Sequence, residues 1–220
     1  MANEWTHDNE LFAATRRELM TALVGDAMDR LGLRHQFLPP HLQPLRLDMV
    51  VLGRAMPVLE ADCFEENGFG LMFRALDELQ PNEVYVCTGG SPSYAQWGEL
   101  MSLRAMRCGA AGAVLDGYSR DTSGIVEMNF PVFSRGRYAQ DQGPRGRVID
   151  YRVPIESGGV RIEPGDIVYG DLDGVCVVPR KAEREVFMSA FEKARGEKSV
   201  RQALEEGMTA REAFERFGIL

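Results

Sequence analysis

Between Trp97 and Asp121 the chain reads WGELMSLRAMRCGAAGAVLDGYSRD, and four features converge there. Gly98-Glu99-Leu100 opens a predicted helix, whose free backbone N–H groups point outward as a ready anion site. Arg120 follows a predicted strand, on the loop after Gly117, and Asp121 is its neighbour. Glu99 is a second carboxylate, and the intervening helix and strand return the chain to the same edge. An arginine and a helix N-terminus grip a carboxylate from two sides. An aspartate alongside holds a divalent cation with several waters, as magnesium prefers. A metal chelated by a 2-oxo acid stabilises an enolate by Lewis acidity. The constellation therefore points to metal-assisted chemistry next to a carbonyl. The same residues also fit a plainer reading, because most adjacent Arg-Asp pairs are surface ion pairs or helix caps.

The elements that must position these groups are legible as pattern. Apolar positions at helical spacing predict a helix over 8–32, ending at Gly32. Residues 49–59 carry strand character, 69–79 predict a short helix stopped by Pro81-Asn82, and EVYVCT (83–88) predicts a strand. Gly89-Gly90-Ser91-Pro92-Ser93 is turn chemistry. A helix from about Tyr94 to Arg107 and a strand over 111–117 complete a β-loop-helix-β unit. Such units bind ligands at the carboxyl ends of their strands, which here brings loops 89–99 and 116–124 to the site. Residues 131–178 predict short strands with turns at Gly158-Gly159, Pro164-Gly165 and Asp173-Gly174. From Arg180 the chain is helical and charge-dense.

Composition excludes several alternatives. The chain has 220 residues and a net charge of −8, with 25 basic against 33 acidic side chains. Residues 181–220 are neutral, so the whole −8 lies in residues 1–180. An acidic chain without a basic block is a poor nucleic-acid binder. No apolar run approaches a membrane span, and Met1–Trp5 does not read as a secretory signal. The only lysines are Lys181, Lys193 and Lys198, all in the polar C-terminal stretch, which disfavours a lysine Schiff base. Cys63, Cys87, Cys108 and Cys176 lack CxxC spacing and a nearby histidine, which argues against zinc and for a reducing cytoplasm.

Other polar residues read as structural. His7, His35 and His41 lie away from the motif and read as surface or packing residues. Asp116 reads first as a turn-forming Asp-Gly, with a supporting place behind the metal loop as the alternative. Arg135, Arg137, Arg145 and Arg147 read equally as a solvated loop or as contacts to an acidic substrate or a neighbouring subunit. Asp171 and Asp173 read as a tight turn.

The segment GELM…GAAGAVLDGYSRD resembles the RraA-like family, which includes metal-dependent 4-hydroxy-4-methyl-2-oxoglutarate / 4-carboxy-4-hydroxy-2-oxoadipate aldolases and RraA regulators of ribonuclease E. TALVGDAMDRLG (21–32), VLGRAMPV (51–58) and VPIESGGVRIEPGDIVYGDLDGVCVVPR (153–180) extend the resemblance over most of the chain. It implies an α/β fold, a β/β/α swivelling-type domain with an N-terminal helix. The expected organisation is one domain over 1–220, with a core of about 20–180 and a C-terminal helical arm over 181–220. A trimer or dimer of trimers is the expected assembly.

By the same resemblance, the backbone of Gly98, Glu99, Leu100 and Met101 holds the substrate carboxylate, and Arg120 binds substrate and steadies the enolate. Asp121 is the direct ligand of Mg²⁺ or Mn²⁺. Glu99 stands where the aldolases usually carry Asp, and orients a proton-donating water. A second catalytic carboxylate comes from a neighbouring subunit, with Glu197 the first candidate and Glu192 the second. Family members that place acids shortly after Arg-Asp differ here, where Thr122, Ser123 and Gly124 follow. The implied activity is cleavage of 4-hydroxy-2-oxo acids to pyruvate and a second oxo acid, with oxaloacetate decarboxylation on the side. The competing expectations are a non-catalytic RraA-type protein that inhibits ribonuclease E, and a lyase or decarboxylase on a sugar-acid-derived substrate.

Overall fold

The helical spacing of residues 8–32 predicts one helix, and the chain makes two. In the computed structural model, which describes residues 5–64 and 68–219, α1 (Asp8–Glu18) ends at an extended Leu19. An extended Met20 precedes α2 (Thr21–Arg30). Leu11 and Phe12 on one side of the break and Leu23, Val24, Ala27 and Met28 on the other are all buried. Burial of both faces outweighs the lost helical hydrogen bonds, with no Gly or Pro at the break. Residues 1–4, part of the segment tested above for a secretory signal, lie outside the described residues.

The chain continues through β1 (Gln43–Pro44), β2 (Val51–Asp62), α3 (Gly70–Asp77), β3 (Glu83–Thr88), β4 (Ala95–Trp97), α4 (Glu99–Arg107) and β5 (Gly112–Leu115). Next come β6 (Tyr118–Ser119), α5 (Thr122–Glu127), β7 (Val132–Ser134), β8 (Gly146–Tyr151), β9 (Ile155–Ser157), β10 (Val160–Ile162), β11 (Ile167–Asp171) and β12 (Gly174–Val178). Two helices, α6 (Glu183–Glu205) and α7 (Ala210–Phe217), close it. The main sheet has the order β1-β7-β5-β3-β2-β11-β12, and β8 also pairs with β2. Strands β2, β3, β5 and β7 run parallel. Strands β1, β8 and β11 pair antiparallel to them. The parallel strands read as unbroken apolar runs because both faces are covered: Val84–Cys87 and Ala113–Leu115 are buried throughout. This is the mixed α/β architecture expected from the sequence.

The described chain divides into two compact units. His35–Lys181 carries every described strand with α3, α4 and α5; Met1–Arg34 and Ala182–Leu220 carry the other four helices. In the helical unit Trp5 packs edge-on against Phe187, and Lys193 bridges to Asp26. A reciprocal capping box between Thr209 and Glu212 starts α7.

One departure from the sequence reading shapes the site. The helix expected over 94–107 begins only at Glu99, because Ala95–Trp97 form a strand parallel to β6. All three side chains of β4 are buried, and an extended backbone sends successive side chains to opposite faces where a helix cannot. Trp97 sits between Tyr85, at 4.8 Å between ring centroids, and Phe130, at 6.3 Å. Its Nε1–H donates to Ser102 Oγ at 2.6 Å, and that hydroxyl donates to the Gly98 carbonyl at 3.1 Å. The indole thus pins the first turn of α4. Ser102→Ala strands a buried indole donor and lowers stability by about 2 kcal/mol. Adding Trp97→Phe, which removes the donor, costs less than the sum of the two single changes. Additive losses in a denaturant-unfolding cycle would contradict the pinning.

Candidate active site

The strand-turn-helix at 95–101 and the strand-loop-helix at 118–124 meet through their backbones. The Arg120 N–H donates to the Trp97 carbonyl at 2.9 Å, continuing the β4–β6 pairing by one residue. The next residue of each segment is then forced into contact. A Cβ at Gly98 would lie 2.6 Å from Asp121 Oδ2, so only glycine admits the carboxylate there. Asp121 Oδ2 accepts from the Glu99 N–H at 3.4 Å. Asp121 holds a left-handed backbone, φ 56°, as it caps α5, a conformation that aspartate tolerates better than most residues. The four expected residues Gly98, Glu99, Arg120 and Asp121 therefore share one edge.

The start of α4 is open. Leu100 is 78% exposed, and the first-turn amides have no acceptor inside the helix. The Glu99 carboxyl lies against the Cα of Gly124, a place that any side chain at 124 would take. This is why Thr-Ser-Gly after Arg-Asp matters: the glycine makes room for the longer acid. Arg120 Nε lies 3.6 Å from Asp121 Oδ2, and Nη1 lies 3.0 Å from Asp141 Oδ1. The side chains of Arg120, Asp121 and Asp141 are 37%, 46% and 49% exposed, so a ligand reaches all three from solvent.

The hydrogen bond and ion pair of the Asp121 carboxylate both use Oδ2, which leaves Oδ1 to a ligand. Among the described residues no group of three or more His, Cys, Asp and Glu side chains forms a metal cluster. One exposed carboxylate with water in the remaining positions suits Mg²⁺ or Mn²⁺, which keep several waters. It does not suit zinc, which takes three or four protein ligands.

Asp141 was missed by sequence reasoning. It lies in the arginine-rich loop, which runs back along the β4–β6 pair through Ala95 N–H to Gln140 O and Tyr138 N–H to Ser119 O. Three arginines of that loop are engaged within the chain. Arg137 donates to Leu45 O, Arg145 to Asp141 O, and Arg135 to Asp116. Asp116, at the end of β5, does more than make a turn. It accepts from Ser157 Oγ at 2.8 Å and pairs with Arg135 at 2.7 Å, with His41 Nε2 at 3.5 Å. Burial pushes its carboxyl up, but Ser157, Arg135 and His41 outweigh that and hold it below the usual range. Glu197 lies on α6 of the helical unit, 3.5 Å from Lys193, and Glu192 lies on the same helix.

Behind the site is a second polar group that sequence reasoning did not single out. Glu60, Gln96 and Gln142 are each at most 3% exposed. Both Glu60 carboxyl oxygens, both Gln96 amide atoms and Gln142 Nε2 lack a hydrogen-bond partner. In sequence, Glu60 ends the strand run MVVLGRAMPVLE, and only the three-dimensional cluster reveals what surrounds it.

Asp116→Asn removes the anion that ties β5 to β9 and to Arg135. Because the folded carboxyl titrates below its unfolded value, its stabilisation is present above about pH 5 and fades as pH falls through the folded value. We expect a loss of about 2 kcal/mol at pH 7, roughly 4–8 °C in Tm, shrinking below about pH 4. A difference independent of pH would contradict the ion pair.

The Aldolase/RraA family model matches residues 21–177. A Halalkalibacterium halodurans protein named "Putative 4-hydroxy-4-methyl-2-oxoglutarate aldolase" is 32% identical over 205 residues, 92% of this chain and 93% of that one. Among solved structures, Streptomyces coelicolor RraAS2, described as an unusual member of the RNase ES inhibitor RraA protein family, superposes with a TM-score of 0.78. It is 29% identical and covers 90% of this chain and 99% of its own. An uncharacterised Pseudomonas syringae protein superposes at 0.82, with 27% identity over 96% and 99% of the two chains. With the family match running through every element that builds the site, this chain belongs to the RraA-like (Aldolase/RraA) family.

Proposed function

We propose that this chain is a divalent-metal-dependent carbon–carbon lyase that cleaves 4-hydroxy-2-oxo acids to pyruvate and a second oxo acid. The observation that carries this reading is the convergence of Asp121, Arg120 and the open N-terminus of α4 on one solvent-facing edge. The aldolase name of the Halalkalibacterium relative supports the lyase class. The absence of lysine before residue 181 disfavours a Schiff base at this edge.

The chain's own residues divide the work. The first-turn amides of Leu100 and Met101, with Gly98 and Glu99 framing them, bind the substrate carboxylate. Arg120 pairs with the 2-oxo acid, giving up part of its bond to Asp141 as it does so. Asp121 would hold Mg²⁺ or Mn²⁺, which supplies Lewis-acid stabilisation of negative charge on the 2-oxo group. Cleavage removes the proton of the 4-hydroxyl and breaks the C3–C4 bond. The electron pair left on C3 is protonated by a water that the Glu99 carboxylate orients. Oxaloacetate loses carbon dioxide through the same enolate. The base for the 4-hydroxyl is a carboxylate of a neighbouring subunit in a trimer or dimer of trimers, Glu197 first and Glu192 second. All four cysteines are free, in keeping with a reducing cytoplasm. No helix among the described residues is long and apolar enough to cross a membrane.

A second reading has one observation behind it, the likeness to RraAS2. An inhibitor of an RNA-degrading enzyme would bind it at micromolar concentration or below in a pull-down. Retention of Glu99 beside Arg120 and Asp121 favours the lyase.

Retro-aldol and oxaloacetate turnover with Mg²⁺ or Mn²⁺ test the proposal. EDTA abolishes both activities, and Asp121→Ala lowers kcat/KM at least ~100-fold while leaving Tm within a few degrees. Glu197→Gln costs rate and Glu192→Gln does not. Metal-independent turnover, or full activity in Asp121→Ala, would overturn the reading.

A further inference from the structure

The unpartnered polar cluster behind the site touches the loops that build it. Glu60 stands on β2 at the point where pairing with β8 shifts register. Its carboxyl is enclosed by Cys87 on β3, Gln96 on β4 and Gln142. Gln96 is two residues before Gly98. Its amide fills the space beside the Cα of Gly117, and its Nε2 would lie 2.8 Å from any Cβ at Gly90. Gly117 leads into β6 and Arg120, and Gly90 belongs to the turn after β3. Buried polar groups in folded proteins are satisfied by protein or by ordered water. Five such atoms on three neighbouring side chains, with Tyr85 Oη as a sixth, form one polar cluster enclosed by the core, with Glu60 facing the Gln96 and Gln142 amides.

We infer that Glu60, acting through Gln96, is a positioning residue for the two loops that flank the candidate site, Gly89–Gly90 and Asp116–Gly117. Its neutral form donates a proton into this network, and its anion cannot. Burial pushes the Glu60 carboxyl up to about 7, opposed in part by Cys87, Gln142 and Gln96 and reinforced by Asp62 on the same strand. Among the other titratable groups facing the cluster, the phenols and the thiol stay neutral across this range. Burial drives Tyr85 and Cys87 of β3 well up, and burial with Glu60 and Asp62 nearby drives Tyr94 up. Asp62 accepts from Tyr94 Oη and the Ser91 N–H, and Asp116 lies beyond Cys87; both are anions already. Ionisation of Glu60 adds a buried negative charge beside Asp62, so the network rearranges and the loops with it. This places an alkaline limit near neutrality on the lyase proposed above.

The turnover arm of the test rests on that lyase reading, and the structural arm does not. In the wild-type protein, the ¹⁵N amide resonances of Gly90 and Gly117 titrate with a midpoint near 7. In Glu60→Gln, which copies the neutral acid, that titration is lost. Wild-type kcat/KM falls about tenfold per pH unit above the midpoint, and the variant keeps the acidic plateau without the fall. Should the variant not fold, a carboxylic acid infrared band that disappears in step with the glycine titration replaces it. Glycine amides that do not titrate between pH 6 and 8.5, or that titrate unchanged in Glu60→Gln, overturn the inference. Absence of turnover at every pH with the Glu60-dependent titration intact removes the lyase reading and leaves the positioning role standing.

Discussion

One backbone hydrogen bond organises the candidate site. The Arg120 N–H bonds to the Trp97 carbonyl at 2.9 Å, and it sits where two short parallel strands run out. One residue further along each segment, the missing side chain of Gly98 lets the Asp121 carboxylate reach the first amide of α4. Without that pairing, the helix N-terminus, the guanidinium and the carboxylate would belong to unrelated loops. The rest of the unit serves it. Trp97, wedged between Tyr85 and Phe130, fixes the strand from below, and Ser102 ties the indole to the helix. Gly124 leaves the space that Glu99 occupies.

Two carboxyl groups on either side of β3, Asp116 at the end of β5 and the buried Glu60 on β2, show how environment sets role. Asp116 and Glu60 both pay the desolvation penalty that favours the neutral acid. Asp116 has Ser157, Arg135 and His41 around it, and it stays an anion that ties strands together. Glu60 has two amides, a thiol, two neutral phenols and another carboxylate nearby, and burial pushes its carboxyl up to about 7. The first is a structural anchor at neutral pH, and the second is poised to change charge there. A net charge carried entirely by residues 1–180, with no lysine among them, leaves arginine and backbone amides as the donors at the site. That donor set suits planar, carboxylate-bearing ligands.

Much of this was legible in the sequence, for definite reasons. EVYVCT and AGAVLDG read correctly as strands because each is a short apolar run bounded by turn residues. Arg120, Asp121 and the start of α4 share one edge because the strand-helix-strand unit returns the chain there, although α4 starts five residues after the expected Tyr94. Three features were not legible. The break at Leu19-Met20 carries no turn residue and exists only because both helices bury a face. Strand β4 is three residues long, and its Ala-Gln-Trp run has no period to read. Asp141 and Glu60 reach their places through long-range contacts, one through a loop running along β4 and the other through the register shift in β2. Local pattern reports neither.

The central claim is that Asp121 and the start of α4 form a single site for a metal and a 2-oxo acid. A crystal structure of the protein grown with Mn²⁺ and oxalate, read by manganese anomalous scattering, tests it most directly. An anomalous peak is expected at about 2.1 Å from an Asp121 oxygen, with oxalate spanning Arg120 and the Leu100 and Met101 amides. Manganese bound at other carboxylates at saturation, with Asp121 free, or oxalate away from α4, would contradict it.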